Sequence, residues 1–508
     1  MIKRKMSRFY KFSLLGIVIL SASLRIRGLT FQSFWVDELA RASAGLYATW
    51  EEAIPGGGLG GLGWAIFRWE SFWIGKILGF EELNLRLYPV ICGVILIALV
   101  AEIGRELHGE IAGLVAASIL CISKTSVKYS QEFGPYASGC VIVWLTFFLL
   151  IRKKSSSQKW DLAIVILSSY AIWLHTHSAA IVIIGSNAIL ASRILDYFKR
   201  HRMNDLETDS ISNYRTDMRL LFLLNTSFLL RIPGFILVTA DDSHSSWIPD
   251  YSVSQSIDVA MWWYFSSIGS LNQIAIYLMI LGVLVAWVHH KQFNSESLYR
   301  KPELILWSVG PIFLILLALY SDFFRPAFHE RYILFALPSF CLIFGVLVSK
   351  FCELANTLSE RKTIDQSWPA ILVCSIIIST GLQGLSESGY YTTERKSDFR
   401  GMVSYIDSIN DEGNSLLISQ PTGLYWDVYF EWSGSGNRVN HGNWDSSVSP
   451  YGYSLVNSTE SKDVFYMVGH SKDRFVDEDF LAFLEENYTL IDSKEFYQGQ
   501  VWYFSEVI

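Results

Sequence analysis

The sequence predicts a mainly α, polytopic membrane protein that ends in a small soluble α/β domain. Three observations predict it. First, 51% of the 508 residues are hydrophobic and only 18% charged, and apolar runs of about 20 residues, the length a helix needs to cross the hydrocarbon core, recur up to residue 386. Second, charge is segregated: residues 387–508 hold 20 Asp and Glu against 8 Lys and Arg, a net of −12 in a chain of −7, so residues 1–386 carry +5. Third, about half of the 41 Lys and Arg fall in alternate loops between apolar runs, the asymmetry expected of cytoplasmic loops. The expected organisation is a membrane region, 1–386, and an extracytoplasmic domain, 387–508.

Taken in order, eleven spans are expected at 10–27, 86–104, 110–125, 134–151, 160–175, 178–197, 219–239, 271–290, 303–321, 332–351 and 368–386. Lys3-Arg4-Lys5 before the first run and Ser21-Ala22-Ser23 after it would suit a signal peptide, but the ten spans that follow favour a retained anchor. The stretch 256–269, with Trp262 and Trp263, reads as an interfacial or re-entrant helix. With the N-terminus in the cytoplasm, 105–109, 152–159, 193–219, 291–301 and 350–362 are basic inner loops. The outer face then receives 28–85, 126–133, 176–177, 240–256, 322–331 and everything after 386.

The polar clusters all fall on that outer face. Phe34-Trp35-Val36-Asp37-Glu38-Leu39-Ala40-Arg41 puts adjacent carboxylates just past the first span; they are either solvated helix-start charges or working groups. The rest of loop 28–85 carries Trp50, Trp64, Trp69 and Trp73, which suit helices lying in the lipid interface, and a Gly56-Gly57-Gly58 run that lacks the Gly-Lys-Ser/Thr of a phosphate loop. Lys128-Tyr129-Ser130-Gln131-Glu132-Phe133-Gly134-Pro135-Tyr136 precedes the fourth span, with Pro135 at its first turn. His175-Thr176-His177 is a polar turn or a weak metal site, and Asp241-Asp242-Ser243-His244 is equally ambiguous. Arg325-Pro326-Ala327-Phe328-His329-Glu330-Arg331-Tyr332 heads the tenth span, and guanidiniums there offer paired donors to a lipid-linked phosphate. No basic stripe suits nucleic acid. The six cysteines lie in or beside apolar runs, which indicates neither a disulfide framework nor a thiolate zinc site.

Carboxylates, cations and hydrogen-bonding groups on one membrane face suit a transfer reaction. A carboxylate takes a proton from an attacking hydroxyl, and Arg or Lys meets the charge developing on a leaving lipid phosphate.

The order Trp-x-Asp-Glu, Glu82-x-x-x-Arg86-Leu, His108-Gly109, Tyr-Ser-Gln-Glu-x-x-Pro-Tyr and Arg331-Tyr332 resembles the GT-C class of polytopic glycosyltransferases over residues 10–350. The likeness is to polyprenyl- or dolichyl-phosphate-sugar-dependent mannosyltransferases, protein O-mannosyltransferases and aminoarabinose transferases. It implies inverting transfer on the extracytoplasmic side, with Asp37 as base and Glu38 supporting it. Two departures are visible. Gly134 stands where members often carry Arg, which leaves Lys128 as a substitute cation, and the first loop has Pro55 alone where many have His-Pro-Pro.

After the last span, Ser397-Asp398-Phe399-Arg400-Gly401 resembles the start of the extracytoplasmic domain of some members. Apolar runs at 415–419, 464–468 and 501–504 read as strands, and 403–409 and 479–487 as helices. Tyr425, Trp426, Tyr429, Trp432 and Trp444 either stack on sugars or form a core.

The expected activity is sugar transfer from a polyprenyl- or dolichyl-phosphate donor to a hydroxyl of a glycan, lipid or protein. Asp37 and Glu38 are the catalytic candidates; Arg331, Arg325 and Lys128 are the phosphate-binding ones. Glu132, Tyr129, Tyr136, His329 and Tyr332 are expected in the pocket. No cofactor is required; a divalent metal would fall to His175 and His177. The rival is a lipid-glycan flippase or transporter with an external sensing domain, for which an internal repeat is expected and not found; Arg231-Ile232-Pro233 is the one suspicious intramembrane charge. The glycosyltransferase reading requires Asp37 and Arg331 to share one cavity.

Overall fold

The computed structural model describes residues 6–54, 58–153, 157–202, 210–239, 248–266, 302–358, 367–410, 415–420, 423–442, 447–458, 463–470 and 472–506. Pro55, Gly56 and Gly57, the Asp241–His244 cluster, Trp444 and the span expected at 271–290 lie outside the described residues.

Among the described residues, seven helices are long and apolar enough to cross a membrane: Arg8–Ile26, Glu82–His108, Pro135–Arg152, Thr176–Arg202, Ile305–Phe323, Glu330–Glu353 and Ala370–Glu387. The expected runs 160–175 and 219–239 fall in the helices Gln158–Leu174 and Ser210–Thr239. Outward faces carry large exposed apolar side chains such as Phe12, Ile91, Ile95, Phe222 and Leu230. Such a surface suits hydrocarbon and would be an aggregation hazard in water.

The run expected as one span at 110–125 is instead a short helix, Glu110–Ile122, that ends at Ser123, whose extended ψ of 122° turns the chain into a second helix, Lys124–Tyr129. Thirteen residues rise only about 20 Å, too little to cross. From Ala112 to Ile122 every residue is buried, so this helix is the centre of the bundle. It fits there because small residues let backbones approach. A Cβ at Gly113 would lie 2.3 Å from the Ala101 carbonyl oxygen, and one at Gly345 would lie 2.3 Å from that of Ala112.

Loop 28–85 is largely helical, as Val36–Ala42, Trp50–Ala53 and Gly58–Leu78. Trp69 and Trp73 are exposed, as interfacial tryptophans would be.

The C-terminal residues form a five-stranded sheet ordered β2-β1-β3-β5-β4. Its strands are β1 (Leu416–Gln420), β2 (His441–Gly442), β3 (Asp463–Val468), β4 (Tyr488–Phe496) and β5 (Gly499–Glu506). β1 pairs in parallel with β2 and β3, while β5 runs antiparallel to β3 and β4. β1 is buried throughout and β3 almost so, as their apolar runs suggest. β4 is an edge strand with nearly every residue exposed, so it offers no apolar run to read. The aromatic stretch after β1 forms the helix Gly423–Ser433, which buries Trp426 and Tyr429 in the core rather than presenting them to solvent.

This domain does not stand apart from the membrane region. Phe34, Val36 and Leu39 of the first loop share one apolar cluster with Phe399, Met402, Trp426 and Tyr429. The Phe34 N–H donates to the Tyr429 hydroxyl at 2.7 Å.

Candidate active site

The two adjacent acids face different ways. Glu38 points inward, 2% exposed. Its Oε1 accepts from Arg86 Nε and its Oε2 from Arg86 Nη2, each at 2.9 Å. Lys396 Nζ donates to Oε2 at 2.7 Å, and the Phe133 N–H donates to Oε1 at 2.9 Å. It also accepts the Trp35 N–H at 3.0 Å, closing the start of the helix Val36–Ala42. Burial pushes the Glu38 carboxyl up, but Arg86 and then Lys396 outweigh burial and hold it down at about 2. Glu38 is therefore an ionised buried anchor joining the first loop, a span and the C-terminal domain. That placement corrects its expected position beside Asp37 as a supporting acid in the pocket.

The anchor extends outward. Arg86 Nη1 donates to the Leu29 and Gln32 carbonyls at 2.8 and 2.7 Å, and Nη2 to that of Ser33 at 3.1 Å. Arg400 reaches Glu82 at 3.0 Å, while Asp398 caps the helix Phe399–Ile409 and accepts from Ser33 Oγ at 2.8 Å. The Glu82-x-x-x-Arg86 and Ser397–Gly401 patterns are thus two halves of one clamp.

Asp37, in contrast, is 47% exposed and ion-paired with Arg331. Both line a cavity of about 1800 Å³, more room than a drug-sized ligand needs. Lys128, Tyr129, Glu132, Tyr136, His175, His177, Arg325, His329 and Tyr332 line it too. Apart from Glu38, every expected site residue is brought to this one space.

Their contacts are specific. Lys128 Nζ pairs with Glu330 Oε2 at 2.7 Å, and Glu330 also accepts from Thr125 Oγ1 at 2.7 Å and Tyr129 OH at 3.3 Å. Burial opposes the Lys128 charge, but Glu330 and then Glu132 outweigh it and raise its pKa. Glu132 lies 3.4 Å from Lys396 Nζ. The Arg331 guanidinium sits over the Tyr332 and Tyr136 rings at 5.2 and 5.9 Å. His329 Nδ1 accepts the Arg331 N–H at 3.3 Å. Burial, then the charges of Arg331 and Lys128, hold its pKa down at about 3, so the ring is neutral.

His175 and His177 belong to an aromatic stack. Their centroids are 5.1 Å apart, and His177 lies parallel to Tyr332 at 4.0 Å. Among the described residues no three His, Cys, Asp or Glu side chains converge as a metal site would require.

Sequence reading missed Lys396, His470, Arg474 and Lys124, which also line the cavity, while Tyr425, one of the aromatic residues left between sugar stacking and core, lines it too. Tyr425 follows β1, and His470 and Arg474 follow β3, at the carboxyl ends of the parallel strands, where α/β sheets present ligand-binding loops. His470 adopts a left-handed φ of 55° and lies edge-on to Trp35 at 4.6 Å. Burial lowers its pKa to about 4, against an opposing pull from Asp37. Of the missed residues only Lys396 carried a signal, its place in the polar run after the last span.

Among the described residues the wall holds nine Lys and Arg but three acids, Asp37, Glu132 and Glu330. That surplus, in a chain of net −7, selects an anionic ligand.

Residues 67–197 match a family model described as dolichyl-phosphate-mannose-protein mannosyltransferase. No curated protein matches the chain. The fold is similar to that of ArnT from Cupriavidus metallidurans bound to undecaprenyl phosphate, with a TM-score of 0.59 and 11% identity over 98% of both chains. The apo form of that protein gives 0.57 and 10% over 96% of this chain and 97% of its own. The Archaeoglobus fulgidus oligosaccharyltransferase tethered to an acceptor peptide gives 0.52 and 11%, over 90% of this chain and 68% of its own. At these identities the likeness is one of fold.

Proposed function

For a chain with the GT-C polytopic membrane fold, we propose sugar transfer from a polyprenyl- or dolichyl-phosphate donor to a hydroxyl of a glycan, lipid or protein. The reaction takes place on the extracytoplasmic face, onto which the cavity and the C-terminal domain open. The observation that carries the reading is the meeting of Asp37 with Arg331 on the wall of one large cationic cavity. Asp37 is the half-exposed carboxylate there and takes the proton from the acceptor hydroxyl as it attacks the anomeric carbon, with inversion. The C–O bond to the phosphate breaks, and its electron pair leaves with the phosphate oxygen. Arg331 meets that developing charge, with Arg325 and Lys128 nearby; Tyr136 and Tyr332 hold the guanidinium in place.

Asp37→Asn keeps the shape and removes the base. The expected outcome is a loss of about 10²–10⁴-fold in transfer, with normal membrane insertion. The assay is release of lipid phosphate from a radiolabelled polyprenyl-phosphate sugar. Turnover retained by the variant would remove Asp37 from its role.

A further inference from the structure

The first span carries a guanidinium that is not part of the cavity wall. Arg25, next to the end of the helix Arg8–Ile26, is fully buried. Its acceptors gather where the central helix Glu110–Ile122 stops. Nη2 donates to the Leu120 carbonyl at 3.3 Å and Nη1 to that of Cys121 at 3.2 Å. Nη1 also donates to Ser21 Oγ at 2.9 Å, Nη2 to Ser126 Oγ at 2.8 Å and Nε to Ser130 Oγ at 3.1 Å. Each of the five N–H groups that a guanidinium offers thus has an acceptor. Gly93 leaves room for this, since a Cβ there would lie 2.9 Å from Arg25 Nε.

The break in the central helix explains these acceptors. Ile119 still accepts the Ser123 N–H at 3.0 Å, but the extended ψ of Ser123 swings the next N–H groups away from the Leu120 and Cys121 carbonyls. Carbonyls left over at a helix C-terminus need donors and carry partial negative charge; Arg25 supplies the donors and a compensating charge. The same guanidinium holds Ser126 and Ser130, within and just after the next helix, Lys124–Tyr129. That helix in turn presents Thr125 Oγ1, Lys128 Nζ and Tyr129 OH to one carboxylate, Glu330, the residue before Arg331. We propose that Arg25 is a positioning residue: it fixes the helix Lys124–Tyr129, that helix fixes Glu330, and Glu330 sets Arg331 against Asp37. The inference rests on the reading of Arg331 as the group that meets the leaving phosphate, and it names what holds that group in place from outside the cavity.

The test compares the wild type with Arg25→Lys, which keeps the charge and replaces the planar fork by donors on a single nitrogen. Both full chains are placed in nanodiscs. Release of lipid phosphate from a radiolabelled polyprenyl-phosphate sugar is measured per folded molecule, and amide hydrogen exchange is followed by mass spectrometry. Arg25→Lys should lower kcat by about 10–100-fold with the KM for the donor nearly unchanged, and should speed exchange over 120–130 and over 329–333. Adding Glu330→Gln should cost little beyond the larger single loss, because the two residues act through one another. Additive losses overturn the proposal, as does exchange over 329–333 equal to that of the wild type. A lower unfolding midpoint with a wild-type kcat per folded molecule also overturns it, since that leaves Arg25 a structural role alone. Should the wild type release no lipid phosphate, the transfer reading falls and exchange decides by itself: faster over 329–333 supports the positioning arm, and unchanged overturns it. If Arg25→Lys does not fold, Ser126→Ala, which removes one acceptor of the same guanidinium, takes its place with the same readouts.

Discussion

Asp37 and Glu38 are neighbours with opposite duties, and the difference is measurable one residue at a time. Glu38→Gln takes from Arg86 and Lys396 the carboxylate they share and leaves each only its second partner, Glu82 and Glu132; breaking a buried pair costs up to about 3–5 kcal/mol. A lowered unfolding midpoint of the solubilised protein checks it, whereas Asp37→Asn, at a half-exposed carboxylate, should lower it by less. Acid should act through the same group. Its folded pKa of about 2 lies below the ordinary 4.5, so the stabilisation it supplies is complete above 4.5 and is lost as pH falls from 4.5 towards 2. That gap amounts to at most about 3 kcal/mol. Stability measured against pH should fall across that window, and Glu38→Gln should flatten the fall. His329 is held neutral down to about 3, so it contributes no inflection near 6.5 to a pH–rate profile.

At the scale of elements, the bundle is organised by a helix too short to span. The run 110–125 reads as a span in the sequence because hydropathy reports apolar content and says nothing about which neighbours cover it. Its packing depends on glycines at points where a Cβ has no room. Gly345→Ala would press a methyl group towards the Ala112 carbonyl oxygen, 2.3 Å from the ideal Cβ position. The expected loss is about 1–3 kcal/mol, seen as a lower unfolding midpoint with the same helix content by circular dichroism. A similar reading applies to the sheet. The apolar runs of β1 and β3 are legible because both strands are buried, while β4 exposes almost every residue. The segments after β1 and β3 bring Tyr425, His470 and Arg474 to the cavity; the aromatic stretch marks Tyr425, and nothing in the local residue pattern marks the other two.

For the whole molecule, the C-terminal domain is a wall of the candidate site as well as an appendage. It supplies Lys396 to Glu38 across 358 residues of sequence, and its core is continuous with the first loop. Ending the chain after Glu387 should abolish transfer even where the helices still insert, because Glu38 loses a counter-charge and the cavity loses Tyr425 and His470. Lipid-phosphate release by the truncated protein, compared with the full chain, checks this. Apolar run lengths, basic-loop asymmetry and the acidic C-terminal stretch were determined by the sequence alone, since bilayer thickness and surface charge act on local composition. So were the residue types needed for the chemistry, Asp37 and Arg331 among them. Tertiary structure alone decided that these two meet across 294 residues, that Glu38 turns away into a buried clamp, and that Arg231 opens on the same cavity. Contacts over such separations follow from how helices pack, and packing depends on shape and small-residue fit that no run of neighbouring residues encodes.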